Sequence, residues 1–175
     1  NTGDKINTLL LGSWLGTMGY LALLDQIGKC FKPKGMATLS TRREIIKALT
    51  YFSNLNERKK YAIYALRCSF AHDFSLFNIP QRERDKALLQ HHFVVGVGKD
   101  APLITFPDQG NDWNGVYQDK SSENRTSVNL EKLGDLVEDI CQKIREYADS
   151  DELEITLNGG ADELACRYFI STPQR

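Results

Sequence analysis

Ile6, Leu9, Leu10, Trp14, Met18, Leu21 and Leu24 recur near helical spacing at the start of the chain. They predict a long helix from about Thr2 to Phe31, apolar over most of its surface. Gly12, Gly16 and Gly19 fall four and three apart within it. Either they let another helix approach closely or they weaken this one, since each costs up to about 1 kcal/mol against Ala. Lys32-Pro33-Lys34-Gly35 reads as a break. Thr41 and Glu44 have capping-box spacing, ahead of a helix carrying Ile45, Ile46, Leu49 and Phe52. Ser53 to Asn56 reads as a short connection, with Asn56 as the N-cap of a third helix. That helix runs from Glu57 to about Phe74 or Phe77, on a stripe of Ile63, Leu66, Phe70, Phe74 and Phe77. Pro80 closes the region. Arg82 to Gln90 predicts a short charged helix with Leu88 and Leu89 facing inward.

The periodicity then changes. Phe93 to Val97 and Leu103 to Phe106 are short β-type runs, and Gly98-Lys99-Asp100-Ala101 between them predicts a hairpin. Trp113 to Tyr117 suits a third strand, and Gln118 to Arg125 a polar loop. Asn129 is placed to cap a fourth long helix reaching about Tyr147, with Leu130, Leu133, Leu136, Val137, Ile140, Ile144 and Tyr147 on one face. Glu131, Asp135, Glu138 and Asp139 suit the dipole of its first turns. Leu153, Ile155 and Leu157 alternate as in a strand, Asn158-Gly159-Gly160 turns, and 161–170 fits helix or strand equally.

These elements predict a mainly α fold: a helical bundle over 1–90 and 129–148, a small β insertion at about 92–117 before the last long helix, and a short extension over 150–175. With 175 residues, 41% of them hydrophobic, one domain with one core is expected. The apolar stretch Leu9–Leu24 has 16 residues, short of the roughly 20 that span a bilayer. Asp25 and Gln26 close it and no basic segment leads it. It therefore reads as a core helix, and no membrane association is expected. The chain opens on Asn1 rather than Met, which leaves room for an upstream start.

Cys30, Cys68, Cys141 and Cys166 show no C-x-x-C spacing, so a zinc ribbon or thioredoxin-like motif is unsupported. They read as reduced, mostly buried thiols of a cytoplasmic protein. No metal or cofactor motif stands out. The net charge of -1 hides an asymmetry: residues 1–90 hold 14 Lys and Arg against 7 Asp and Glu, and residues 91–175 hold 8 against 16. A basic half suits a polyanion such as RNA. It equally suits attraction between the halves or to a second copy.

Arg67 and His72 stand five apart near the end of the third helix, in the run Tyr-Ala-Leu-Arg-Cys-Ser-Phe-Ala-His-Asp-Phe over 64–74. This run resembles the R-x4-6-H motif of HEPN domains, small helical bundles found in toxins, abortive-infection proteins and RNA-processing enzymes. The resemblance implies that Arg67 and His72 are the catalytic pair of a metal-independent endoribonuclease. It also implies a homodimer with both motifs facing one composite site, acting in phage defence or beside an antitoxin. Ser69 is a candidate helper in phosphate binding. An imidazole titrates near neutrality and can take or give a proton, and a guanidinium can hold a phosphate with paired donors. On one helix, residues five apart differ by about 140° and roughly 7.5 Å. Convergence therefore needs either a loosened helix end or a second copy. Two positions depart from the family pattern. Cys68 follows the motif Arg where many active members have Asn, Asp or His. Phe74 stands where one toxin subgroup has a modifiable Tyr. The alternatives are a HEPN-like module that binds RNA, nucleotide or a protein without cutting, and a structural role in which Arg67 pairs with Asp73 or the fourth helix and His72 caps the helix end.

Other signals carry less. Gly96-Val97-Gly98-Lys99-Asp100-Ala101 lacks the first Gly and the Ser/Thr of a P-loop and leads into a strand rather than a helix. His91 and His92, adjacent on a strand, point to opposite faces and make a poor chelating pair. Trp113 and Tyr117 suit either base stacking or the covering of a small sheet.

Overall fold

A computed structural model of the chain describes residues 2–119 and 121–168, with side chains given for all of these except 2–13 and 73. The fold is mainly α. Helix α1 spans Thr2–Cys30, α2 Glu44–Phe52, α3 Glu57–Asp73, α4 Lys86–Leu89, α5 Leu130–Asp149 and α6 Gly160–Tyr168, with a 3-10 turn at Glu83–Asp85 before α4. Strands are β1 Phe31–Pro33, β2 Phe77–Asn78, β3 His91–Gly96, β4 Ile104–Thr105, β5 Arg125–Asn129 and β6 Leu153–Ile155.

Helices α1, α2, α3 and α5, with Leu89 of α4, share a core with one sheet. Leu21, Leu24 and Ile27 of α1 meet Ile45, Ala48, Leu49 and Phe52 of α2, Ile63, Leu66 and Phe70 of α3, and Leu133, Val137 and Ile140 of α5. Phe93, Ile104 and Val128 join from the sheet. Each such side chain contributes about 1.5–3 kcal/mol by leaving water. The most extensive helix–helix contact is α1 on α2, and Gly28 lets the two backbones touch. A Cβ there would lie 1.8 Å from the Glu44 carbonyl oxygen.

The second helix starts differently from the sequence expectation. Thr41 Oγ1 accepts from the Arg43 N–H at 3.1 Å, outside the helix, and Arg43 occupies the N-cap with no side-chain bond. The free Ile45 N–H donates instead to Asp25 Oδ1 of α1 at 3.1 Å. The capping box is therefore replaced by a cap from a neighbouring helix. Asn56 does cap α3, accepting from the Lys59 N–H at 3.0 Å. Asn129 caps α5, accepting from the N–H groups of Glu131 and Lys132.

The sheet also differs. The predicted hairpin does not form, because β5 lies between its two arms: the strand order is β2-β3-β5-β4, with β3 parallel to β5 and β4 antiparallel to it. Thr126 and Val128, 1% and 0% exposed, make β5 the buried central strand. Asn129 Nδ2 donates to the Gly98 and Ala101 carbonyls at 2.6 and 2.9 Å, which holds the 97–102 loop against the start of α5. Residues 113–117 are irregular, with a bend at Gly115, rather than a strand, and the Trp113 Nε1–H donates to the Val116 carbonyl at 3.2 Å. The break after α1 is shorter than expected: Phe31–Pro33 pairs antiparallel with Leu153–Ile155 before the chain turns at Gly35. Residues 161–168 of the ambiguous C-terminal run are helix, which starts at Gly160, and 169–170 lie outside the described residues. Leu89 is buried but Leu88 is exposed. No helix among the described residues is long and apolar enough to cross a membrane.

Candidate active site on the third helix

Helix α3 is buried on one side and open on the other. Ala62, Ile63, Ala65, Leu66, Ser69 and Phe70 are buried, Tyr61, Tyr64, Arg67 and Cys68 are partly exposed, and Ala71 and His72 are exposed. At about 100° per residue, Arg67 and His72 fall at the two edges of the open arc. Tyr64, Cys68 and Ala71 fill the middle. The small side chains of Cys68 and Ala71 make a shallow saddle between the two motif residues.

Arg67 is anchored to α1. Its Nε–H donates to Asp25 Oδ2 at 2.5 Å, with the Arg67 side chain 32% and the Asp25 side chain 17% exposed. Burial works against the guanidinium charge. The Asp25 hydrogen bond and charge outweigh it, and the guanidinium is held above its usual pKa range. The bond runs through Nε, and the terminal N–H groups of a guanidinium are donors that fit a phosphate. A cavity of about 120 Å³ lined by Met18, Leu21, Ala22, Asp25, Arg67, Phe70 and Ala71 opens beside it.

His72 sits in the last turn of α3, on the far edge of the arc. The helix ends one residue later. Phe74 takes the left-handed conformation, φ 47°, and its N–H and that of Ser75 both reach the Ser69 carbonyl. The cap position is thus Phe74 rather than His72. The left-handed step swings Phe74 off the apolar stripe on which its spacing placed it, and the residue is 66% exposed. Ser69 faces the core: it is 1% exposed and its hydroxyl donates to the Leu66 carbonyl at 2.8 Å. It does not stand with Arg67 and His72.

Arg43, at the start of α2, reaches over the same strip. Its guanidinium carbon lies 4.9 Å from the Tyr64 ring centre and 5.4 Å from that of Tyr61, and Asp85 approaches it at 3.8 Å. Burial and a bond to the Cys68 thiol push the Tyr64 phenol up, against the opposing pull of Arg43 and Arg67.

Asp25 and Arg43 were not singled out from sequence. Asp25 registers there only as the polar end of an apolar stretch, and nothing local ties it to a residue 42 positions away. The other candidate groups serve the fold. His91 bonds Thr126 Oγ1 at 2.9 Å and the Leu88 carbonyl at 3.1 Å. His92 stacks on Phe77, ring centres 4.5 Å apart, beside Trp113 and Tyr117. Among the described residues, no group of three or more His, Cys, Asp and Glu is arranged to hold a metal ion. Comparison with protein-family models, with curated proteins and with solved structures gave no match.

Proposed function

We propose that the chain is a HEPN-like, metal-independent endoribonuclease that works as a homodimer, in phage defence or as a toxin held by a protein partner. The observation that supports this most is the state of the two motif residues. Arg67 is oriented by Asp25 through Nε, and His72 stands in solvent on the same helix. Those groups match the chemistry of RNA cleavage. A neutral His72 imidazole takes the proton of the 2′-hydroxyl, and that oxygen attacks phosphorus. The bond to the 5′-oxygen breaks, and an imidazolium returns a proton to the departing oxygen. The products are a 2′,3′-cyclic phosphate and a free 5′-hydroxyl. Arg67 holds the non-bridging oxygens as charge builds on them.

Within one protomer the pair lies at opposite edges of α3, so this reading takes Arg67 from one copy and His72 from the other. The test mixes two inactive variants, Arg67→Ala and His72→Ala. A composite site regains cleavage in the mixture, because a mixed dimer keeps one intact pair. Activity that stays absent from the mixture contradicts the composite site.

One observation favours a second reading, a module that binds RNA or a protein without cutting. Asp25 offsets the Arg67 charge, and the position after Arg67 holds a thiol rather than a further polar ligand for phosphate. Binding without cleavage, weakening as salt rises, is its signature.

A further inference from the structure

We infer that a single strand of RNA lies along the open strip of α3, with bases stacked at two stations: the Phe74 ring at one end and the Arg43–Tyr64 stack at the other. The inference rests on the ribonuclease reading for the course of the strand past Arg67 and His72. The two stations rest on geometry of their own.

Phe74 ends α3 through its backbone, a role that needs no aromatic side chain. The residue is 66% exposed, and among the described residues no aromatic ring packs on it. Its φ of 47° lies in the left-handed region, which costs a residue with a Cβ roughly 1–2 kcal/mol and suits Gly at helix ends. A large apolar ring held there, two residues from His72, is accounted for by something outside the fold that covers it. Backbone strain of this kind gathers where a side chain must be aimed.

At the other end, the Arg43 guanidinium carbon lies 4.9 Å from the Tyr64 ring centre and 5.4 Å from that of Tyr61, with Asp85 3.8 Å away. A guanidinium fixed in this way offers an outer plane for a base and edge donors for phosphate. Between the stations the strip holds only Cys68 and Ala71, flanked by Arg67 and His72. The rise from residue 64 to 74 is roughly 15 Å, room for a phosphate and its flanking nucleosides. Bases in a duplex already stack on one another and present no free faces, so the strip fits single strands.

The test is fluorescence anisotropy with a single-stranded 2′-O-methyl oligonucleotide, which lacks the attacking hydroxyl, and with the same strand in a duplex. Phe74→Gly relaxes the turn, so the variant is expected to melt no lower than wild type, yet bind the single strand about tenfold more weakly. Arg43→Lys keeps the charge and loses the plane, and a loss of similar size is expected. Duplex bound as tightly as single strand, or both variants within twofold of wild type, overturns the inference. If such variants bind normally while the wild type cuts RNA, the strip is wrong and the ribonuclease stands. Strip-dependent binding by a protein that cuts nothing shows the reverse.

Discussion

Asp25 serves two helices at once: Oδ2 accepts from Arg67 Nε–H at 2.5 Å, and Oδ1 accepts from the Ile45 N–H at 3.1 Å. One carboxylate of α1 therefore orients the motif arginine of α3 and caps α2. Asp25→Asn keeps an acceptor for Ile45 and loses the charge, whereas Asp25→Ala loses both. The Ala variant is expected to be destabilised by about 1–3 kcal/mol and the Asn variant by less. Urea denaturation reads the difference. On the ribonuclease reading, Asp25→Asn also lowers cleavage more than it lowers stability, because Arg67 is no longer aimed. Equal destabilisation by the two substitutions contradicts the double role.

The contact at Gly28 leaves no room for a side chain. Its Cβ would lie 1.8 Å from the Glu44 carbonyl oxygen and 2.8 Å from the Ala48 nitrogen, both backbone atoms. Rotamer changes cannot relieve such a clash, so α1 and α2 must separate. Gly28→Ala is expected to cost about 3 kcal/mol or more, the upper end of overpacking. By contrast, Gly16→Ala meets open space and is expected to stabilise α1 by up to about 1 kcal/mol. Thermal melting of the two variants side by side decides it.

Asn129 ties three segments together. Its Oδ1 caps α5, and its Nδ2 holds the Gly98 and Ala101 carbonyls. Asp is as good a cap as Asn, so on capping alone Asn129→Asp is neutral. Here it sets a carboxylate against two carbonyls. Asn129→Asp is expected to lower stability by about 2–3 kcal/mol, at least as much as Asn129→Ala. A neutral Asp variant in chemical denaturation shows that the loop contacts carry no energy.

Burial pushes the His91 imidazole below its ordinary range, with Arg58 adding to this and the Leu88 carbonyl and Asp112 opposing it. His92 shifts the same way through burial and Arg125, with Asn124 and Asp119 opposing. A folded pKa below the unfolded one means that the unfolded chain binds more protons. Stability is then fully present above the unfolded value of about 6.5 and falls as pH drops from there towards the folded value. Urea midpoints at pH 7.5 and 5.5 measure this loss. His91→Gln is expected to flatten the dependence partly, leaving the share of His92. An unchanged pH dependence in the variant counts against His91 as its source.

The long helices are legible in the sequence because each buries one stripe at helical spacing: α5 ends two residues past its expected Tyr147, and α3 starts at Glu57 as expected and ends at Asp73, one or four residues short of the expected Phe74 or Phe77. The caps Asn56 and Asn129 are local signals and hold. The sheet is not legible in the same way. Strand β5 is five residues drawn partly from a polar run, and its partner β3 lies about 30 residues earlier, so no local pattern announces the pairing. The hairpin expectation follows from loop composition alone, which cannot show that another strand enters between the arms. Phe74 fits the helical stripe by spacing and leaves it only because the helix ends at Asp73. Arg67 and His72 stand out as a motif, but the Asp25 partner is set by tertiary packing.

The central claim is tested most directly by incubating the protein with RNA that carries both single-stranded and structured regions, in excess EDTA, with His72→Ala beside wild type. The account predicts cleavage by wild type, products ending in a cyclic phosphate, and a loss of at least about 100-fold in the variant. Cleavage that persists in His72→Ala, or that stops with EDTA, contradicts it.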